Sequence, residues 1–426
     1  MRSTPSFRSA LAHTAFRRLL LAHGLATLGQ VSLTLAVGVE VLAGTGSPVW
    51  VSVTVALGFA PYVLCSGLAG VLADRCSRSS VLGCSYAARA LVAAVMVAGL
   101  AADVPVAWVV LLSGVTSVLA TPSYPALLAA APQLVDRRDL PPANALVTGT
   151  ENTAWIAGPG LLGVVLLTGG GPTTAAVLSV GLYVLATAVT LPVRLVRPER
   201  PVGTAHALGV LAELAEGART VAGVARVRTG MTVAVLDNFL YGFLVVAVVL
   251  LAADGLGGER SLGWLNGALS AGAVAAMAIT NRLAAHRRPE VVLAVLMAGF
   301  GGAVALLPVS GGLPVAALLL AGAGVGTMVA EVVAVTVIQR ASPAGVTARV
   351  FGVYDQLNVG AIALGSAVAG PLAAVLGTST AVAVTGLAVG ALGILASRRL
   401  AVAGRAAAKV PARVPAPRSP VDLGAP

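Results

Sequence analysis

Four ionisable side chains lie deep inside long apolar runs of the sequence. They are Arg89, Glu151, Asp237 and Glu331. Placing such a side chain at the centre of a bilayer costs about 2.5–3.5 kcal/mol on insertion scales, so each one is a candidate functional residue. At a rise of about 1.5 Å per residue, all four lie about 10–12 Å from the arginine-flanked end of their runs. This common depth predicts that they face one central cavity.

The chemistry that these residues suit is proton binding. An isolated carboxyl group is costly to ionise in a low-dielectric surrounding, whereas a neighbouring guanidinium keeps it charged. We therefore predict that Asp237 first, and Glu331 second, bind protons, and that Glu151 forms a structural ion pair with Arg89. The alternative for each carboxylate is an interhelical hydrogen bond without a chemical role.

Polar and aromatic residues accompany these charges at helical spacing. Tyr241 follows Asp237 by four residues and Trp155 follows Glu151 by four, so each pair shares a helix face. A cavity with few polar groups suits a small amphipathic molecule, and the alternative is ordinary helix packing. His23 is a lone histidine that we expect to be structural. The candidate cavity residues are Gln30, Asn152, Trp155, Asn238, Tyr241, Gln356 and Asn358.

The apolar runs that must position these residues exclude a soluble protein. Hydrophobic residues make up 58% of the 426 residues and charged residues only 10%, whereas soluble domains are about 45–50% apolar and about 25% charged. A membrane-spanning helix needs about 20 apolar residues, and we identify twelve such runs. They are about 19–43, 49–72, 81–102, 105–130, 144–168, 173–195, 230–253, 261–281, 290–309, 314–338, 350–375 and 379–402.

The basic residues indicate the orientation of the runs. The chain has 27 Lys and Arg and a net charge of +11. With the N-terminus inside, nearly all of them fall in cytoplasmic segments, as the positive-inside rule requires. We therefore predict that both termini are cytoplasmic and that the excess charge faces anionic lipid rather than nucleic acid. The three cysteines and four scattered histidines predict neither a metal site nor a cofactor.

The runs divide into two halves joined by a polar linker. We expect an N-terminal six-helix bundle over residues 1–196, a cytoplasmic linker with an amphipathic helix over 197–229, a C-terminal bundle over 230–402 and a disordered tail over 403–426. The linker is either a strap between the halves or a solvated connector. Corresponding runs five and eleven carry similar interruptions, which is typical of repeat-built transporters. These predicted packing residues are Gly158, Pro159, Gly163, Gly370 and Pro371.

The loop between runs two and three carries a family motif. It reads Gly70-Val71-Leu72-Ala73-Asp74-Arg75-Cys76-Ser77-Arg78. This segment resembles the major facilitator superfamily motif G-x-L-A-D-R-x-G-R, with a serine in place of the second glycine. The resemblance implies that Gly70, Asp74, Arg75 and Arg78 belong to a cluster that latches the two halves on the cytoplasmic side.

Other segments are similar to the drug and siderophore exporter branch of that superfamily. They are residues 16–20, 122–127 and 139–146, and the surroundings of Gly158 and Pro159 resemble a shortened antiporter motif. Two features depart from that branch. Gln30 follows Gly29 where an aspartate is common, and the fourth run holds no arginine.

These observations together predict an all-α integral membrane protein with twelve transmembrane helices in two pseudo-symmetric six-helix bundles. The resemblance implies a secondary transporter that exports a small amphipathic drug, antibiotic or siderophore-like compound in exchange for protons, a mechanism for which a monomer suffices. An importer, a membrane-embedded enzyme and a non-transporting scaffold are the alternatives. The 26 arginines against one lysine are typical of a GC-rich bacterial genome, which favours a bacterial cytoplasmic membrane.

Overall fold

The chain folds into long helices. The computed structural model describes residues 7–75, 77–102, 104–195, 207–284, 286–343 and 346–409, and these residues include no strand. The helices are α1 (Phe7–Ala12), α2 (Thr14–Thr45), α3 (Pro48–Arg75), α4 (Arg78–Ala101), α5 (Val106–Ala120), α6 (Ser123–Leu134), α7 (Leu140–Leu167), α8 (Pro172–Thr190), α9 (Ala207–Gly223), α10 (Ala225–Asp254), α11 (Glu259–Ala284), α12 (Pro289–Leu306), α13 (Leu313–Ala341), α14 (Thr347–Leu376) and α15 (Thr378–Lys409).

The predicted all-α membrane fold is confirmed. Eleven of the twelve apolar runs coincide with one helix each, and the fourth is shared between α5 and α6. Within the described part of the chain, ten helices are long and apolar enough to cross a bilayer. The other two predicted spans are α3 and α7, each of which is 28 residues long. Large apolar side chains such as Leu111, Val184, Leu318 and Leu387 are exposed on the outside of the bundle, where a lipid-facing surface requires them.

Small residues allow neighbouring helices to approach closely. A Cβ atom added at Gly272 on α11 would meet the carbonyl oxygen of Ala321 on α13, and one at Gly324 on α13 would meet that of Leu269. Lipid provides no hydrophobic force between helices, so association depends on such close packing. The glycines therefore join α11 to α13 within the second half of the chain.

The fourth predicted span, over 105–130, is present as one apolar stretch, Val106–Leu134, that is interrupted near its middle. Its two parts are α5 and α6, and Thr121 and Pro122 lie between them. Proline has no backbone N–H and cannot continue the hydrogen-bond ladder of the preceding helix. The break falls beside Ser123, whose hydroxyl contacts that of Ser85 on α4 at 2.9 Å.

The linker helix α9 packs against α14 and α10 in the second half of the chain. Glu216 forms an ion pair of 2.8 Å with Arg349 at the start of α14, and Gly217 lies against the backbone carbonyl of Arg349. Residues 197–206 of the expected linker lie outside the described residues. The expected tail needs a correction, because α15 continues to Lys409 and residues 403–409 are helical; the rest of the tail is not described.

The two halves meet along α3 with α14 and along α7 with α11. At the arginine-poor end, the backbone N–H of Gly370 donates to the Ser52 hydroxyl at 2.6 Å. A Cβ atom on Gly163 would lie 2.6 Å from the carbonyl oxygen of Gly263. Nearer the centre, the Ser270 hydroxyl donates to the Ile156 carbonyl at 2.6 Å. These contacts hold the halves together on the side away from most of the arginines.

Candidate functional site

Two acidic residues of the second half lie in one cluster between α10 and α13. The Thr327 hydroxyl donates to Asp237 at 2.7 Å, and the Asn238 amide donates to Glu331 at 3.1 Å. Thr327 and Glu331 are four residues apart and share a face of α13. The Tyr354 hydroxyl of α14 also donates to Glu331. Three helices therefore bring neutral hydrogen-bond donors to two carboxylates.

Within the described part of the chain, the cluster has no cation at ion-pair distance. Asp237 is only 1% exposed. Its Oδ1 atom is buried and has no hydrogen-bond partner within the described residues. Among those residues, no Lys, Arg or His nitrogen lies within 4.0 Å of Asp237 or Glu331. A buried carboxylate without a counter-ion is costly to keep ionised in a low-dielectric surrounding.

Glu151 of the first half has a different partner from the one we predicted. Its Oε2 atom lies 2.5 Å from Nε2 of His23 and accepts from the Thr27 hydroxyl at 3.1 Å. Its Oε1 atom accepts from the Trp155 indole N–H at 3.0 Å. The predicted ion pair with Arg89 is wrong, because no guanidinium nitrogen of Arg89 lies within 4.0 Å of a carboxylate oxygen of Glu151. His23, rather than Arg89, is the nitrogen that faces Glu151.

Arg89 is instead bound by neutral groups. Its Nη2 atom donates to the Ala26 carbonyl at 2.8 Å and to Oε1 of Gln30 at 3.1 Å. The guanidinium carbon lies 4.4 Å from the centre of the Tyr183 ring, a cation–π geometry. Arg89 is 2% exposed, so these contacts compensate a buried cation. The arginine thereby ties α4 to α2 and α8.

A small cavity lies between the two halves, and none of the four ionisable residues expected to face one central cavity is in its wall. Its volume is about 20 Å³, which is room for about one water molecule. Gln30, Trp155 and Tyr241 are in its wall, as is Pro159. The Trp155 ring stacks on Phe59 with a centroid distance of 5.3 Å. A ligand larger than water therefore requires the halves to move apart.

The remaining predicted cavity residues lie elsewhere. Asn238 belongs to the carboxylate cluster, and Asn152 is exposed on α7. Gln356 is half-buried on α14. Asn358 is 7% exposed, and its Oδ1 atom lacks a partner among the described residues. The predicted set is thus divided between the cavity wall, the cluster and the faces of α7 and α14.

The predicted packing residues lie at helix crossings. Gly158 lies against Val31 of α2, where a Cβ atom would be 2.5 Å from the valine Cβ. Gly163 and Gly370 lie at the contacts between the halves, and Pro371 follows within α14. In the loop motif, the side chains of Asp74 and Arg75 and the surroundings of Gly70 are not described. Arg78 begins α4.

Sequence reasoning missed several partners in these clusters. Thr327 was detectable, because it precedes Glu331 by one helical turn. Tyr354 and Tyr86 carry no such signal, since each reaches its partner from another helix. The Tyr86 hydroxyl lies 3.4 Å from Nδ1 of His23. His23 was visible as an isolated histidine, but its contact with Glu151 depends on the packing of α2 against α7.

The two halves with their buried charges define a polytopic membrane transporter. The sequence model of the Major Facilitator Superfamily matches residues 19–366. The chain belongs to this superfamily, and the resemblance identified in the sequence is confirmed.

Relatives and solved structures agree with this assignment. The enterobactin exporter EntS of Salmonella choleraesuis is 26% identical over 385 residues, covering 90% of this chain and 91% of the relative. That of Shigella boydii is 27% identical over 398 residues, with the same coverage. The nucleoside transporter NupG has a TM-score of 0.69 at 13% identity, covering 92% of this chain and 99% of NupG. A bacterial homologue of the human lysosomal transporter Spinster, in an inward-facing and occupied conformation, has a TM-score of 0.68 at 13% identity. The match covers 95% of this chain and 98% of the homologue.

Proposed function

We propose that this transporter exports a small amphipathic compound of the siderophore class across the bacterial cytoplasmic membrane in exchange for protons. It acts as a monomer with both termini in the cytoplasm. The observation that carries the proposal is the cluster of Asp237, which is buried, and Glu331, which is half-buried. Within the described residues, both have neutral hydrogen-bond partners and neither has a cation within 4.0 Å. No cofactor or covalent step is needed.

Proton binding at the cluster provides the coupling. A protonated carboxyl group keeps some of its acceptor capacity, so each residue can gain a proton while retaining its donor from the neighbouring helix. The gain removes a charge from the low-dielectric space between α10 and α13. Neutralisation therefore lowers the cost of closing the halves around the cluster, which is the differential stabilisation that a coupled conformational change requires.

Rocking of the two bundles gives the substrate access to each side of the membrane in turn. We assign residues 1–196 and 230–402 to the moving bundles and residues 197–229 to the linker. The Ser52–Gly370 and Gly163–Gly263 contacts would close the external side in the present conformation. The substrate pathway then opens towards the arginine-rich, cytoplasmic side. Separation of these contacts would produce the opposite state, as in repeat-built transporters in general.

The substrate class rests on two observations. The relatives at 26–27% identity are named as enterobactin exporters and match over 90% of this chain. The wall between the halves is apolar and aromatic, with Trp155, Phe59 and Tyr241 beside the amide of Gln30. Such a surface suits a ligand that has aromatic rings and a few polar groups.

Inside-out membrane vesicles containing the protein provide the test. A pH gradient, acid inside, is imposed, and accumulation of catecholate siderophores, amphipathic cations and antibiotics is measured before and after the gradient is collapsed. Vesicles with Asp237→Asn serve as the matched control. We expect accumulation that needs both the gradient and Asp237. Accumulation that survives collapse would contradict proton coupling, and uptake only in right-side-out vesicles would support the importer alternative.

A further inference from the structure

We propose that His23 and Glu151 form a second proton-binding site in the first bundle, with the imidazole of His23 as the group that gains and releases the proton. This inference deepens the proposed proton coupling and rests on it. The site lies between α2 and α7, in the other half of the chain from the Asp237–Glu331 cluster. His23 is 2% exposed, whereas the Glu151 side chain is 18% exposed, so solvent can reach the pair through the glutamate.

The hydrogen bonds of Glu151 suit an ionised carboxylate. Its two oxygens accept from the Thr27 hydroxyl and the Trp155 indole N–H, and they also face Nε2 of His23, which is a third donor when it carries the ring hydrogen. An ionised carboxylate only accepts hydrogen bonds, so it can satisfy all three donors at once. The separation of 2.5 Å between Nε2 and Oε2 requires a hydrogen between them. With Nε2 carrying that hydrogen, the free lone pair of the ring is on Nδ1.

Nδ1 of His23 has a partner that tolerates both protonation states. The Tyr86 hydroxyl lies 3.4 Å from it. A tyrosine hydroxyl can donate to a bare nitrogen or accept from an N–H. A proton can therefore bind to Nδ1 while Nε2 keeps its bond to Glu151, and the Tyr86 hydroxyl turns from donor to acceptor. One N–H bond forms and no other covalent bond changes.

A second buried charge lies close to the Tyr86 partner of this pair in the sequence of α4. Arg89 lies three residues after Tyr86 on α4 and carries a buried positive charge with neutral hydrogen-bond partners. With Glu151 ionised and His23 neutral, the group has no net charge, and one further proton makes it positive. The other titratable groups that face the site are Tyr62 on α3 and Tyr124 on α6, and Asp355 on α14 interacts with Tyr124. The neutral arrangement suits the state that faces the cytoplasm and has released its proton.

Trp155 provides an optical readout that does not depend on transport. Its indole N–H donates to the same carboxylate that contacts His23. The other tryptophans, Trp50, Trp108 and Trp264, are 39%, 58% and 57% exposed. Replacing these three with phenylalanine leaves Trp155 as the sole tryptophan of the full chain. Its emission is then recorded in lipid nanodiscs as the pH is varied from about 5 to about 9, the range in which histidine titrates.

We expect a one-proton transition in the sole-tryptophan protein and in its Asp237→Asn version, and no transition after His23→Gln. An unchanged transition in the His23→Gln variant, or a flat response in the parent, would overturn the proposal. If His23→Gln does not fold, Tyr86→Phe provides the test. Removing one hydrogen bond to Nδ1 should displace the midpoint by about 0.5–1 pH unit, and an unchanged midpoint would refute the site.

The readout separates this inference from the proposed function. Proton-driven accumulation without a transition at Trp155 would leave the export mechanism intact and remove only the second site. A transition that depends on His23, in a protein that accumulates nothing in response to a pH gradient, would keep the proton site and overturn the coupling instead. Thr27→Val is the matched control, because it removes a donor to Glu151 without removing a titratable group, and its transition should persist.

Discussion

Asn238 on α10 donates a hydrogen bond of 3.1 Å to Glu331 on α13, across 93 residues of sequence. In the opposite direction, Thr327 on α13 donates to Asp237 on α10 at 2.7 Å. Each helix thus contributes one carboxylate and one donor for the carboxylate of its neighbour. Because all the donors are neutral, the crossing of the two helices can persist whether the carboxylates are charged or protonated.

Replacing Asp237 with asparagine should abolish uphill accumulation while exchange of substrate down its own gradient continues. The amide keeps the shape and an acceptor for Thr327 but cannot bind a proton at physiological pH. Accumulation in inside-out vesicles measures the effect. Asp254→Asn, at the exposed end of the same helix, is the control and should accumulate normally. Normal uphill transport by Asp237→Asn would exclude this residue from coupling.

Replacing Thr327 with valine should destabilise the protein by about 1–3 kcal/mol, the cost of a buried polar group that loses its partner. The change removes the donor to the buried Oδ2 atom of Asp237. Thermal unfolding of the purified protein would reveal the loss. Thr336→Val on the same helix removes only a bond to the carbonyl of Val332. Equal unfolding temperatures for the two variants would argue against the interhelical bond.

Replacing Gly163 with alanine should slow transport, because the new Cβ atom would lie 2.6 Å from the carbonyl of Gly263. Overpacking of this kind costs about 1–3 kcal/mol, and here it would act on the contact between the halves. Initial rates of substrate efflux measure the change. Gly149→Ala on the same helix meets no atom within 4 Å and should leave the rate unaltered. A rate unaffected by Gly163→Ala would show that this contact does not limit the cycle.

Replacing Arg89 with lysine should lower the stability by about 1.5–3 kcal/mol, the range for hydrogen bonds to a charged group. Lysine cannot reproduce the planar fork that reaches Ala26 and Gln30 while stacking on Tyr183. Thermal unfolding in detergent or nanodiscs is the appropriate measurement. The exposed Arg287→Lys is the control. A stable Arg89→Lys protein would mean that a point charge alone suffices at this position.

The attachment of the linker helix α9 to α14 should depend on close packing more than on the ion pair between Glu216 and Arg349. Glu216 and Arg349 are 43% and 37% exposed at their side chains, so Glu216→Gln should cost less than about 1 kcal/mol. Gly217→Val would instead force a side chain against the Arg349 carbonyl. Protease accessibility of the linker in inside-out vesicles distinguishes the two variants. Greater cleavage in Glu216→Gln than in Gly217→Val would reverse this assignment.

The positions of the membrane-spanning helices were predictable because they depend on local composition. Eleven of the twelve predicted runs coincide with one helix each, since about 20 consecutive apolar residues can satisfy their backbone in lipid only by forming one. The break at Pro122 had a visible cause in the sequence but was missed. The extension of α15 to Lys409 was missed as well. Both errors concern where a helix ends, which depends on its neighbours as much as on its own residues.

The partners of the buried charges were only partly predictable. Their identity and shared depth followed from residue types within the apolar runs. The partner of Glu151 could not be predicted in this way, because two residues with candidate nitrogens, His23 and Arg89, lie in the same half of the chain. His23 faces Glu151, and Arg89 turns towards α2 and α8. That choice is set by the rotation of α4 and α7 about their axes.

The sequence by itself therefore determined that the chain crosses a bilayer, which superfamily it resembles and which residues carry charge into lipid. Only the tertiary structure decided that Asn238 and Thr327 bind Glu331 and Asp237 across α10 and α13, and that His23 binds Glu151. The physical reason is the distance along the sequence over which each interaction acts. Insertion into lipid depends on the summed hydrophobicity of neighbouring residues, whereas a hydrogen bond between helices requires two side chains, distant in sequence, to meet within about 3 Å.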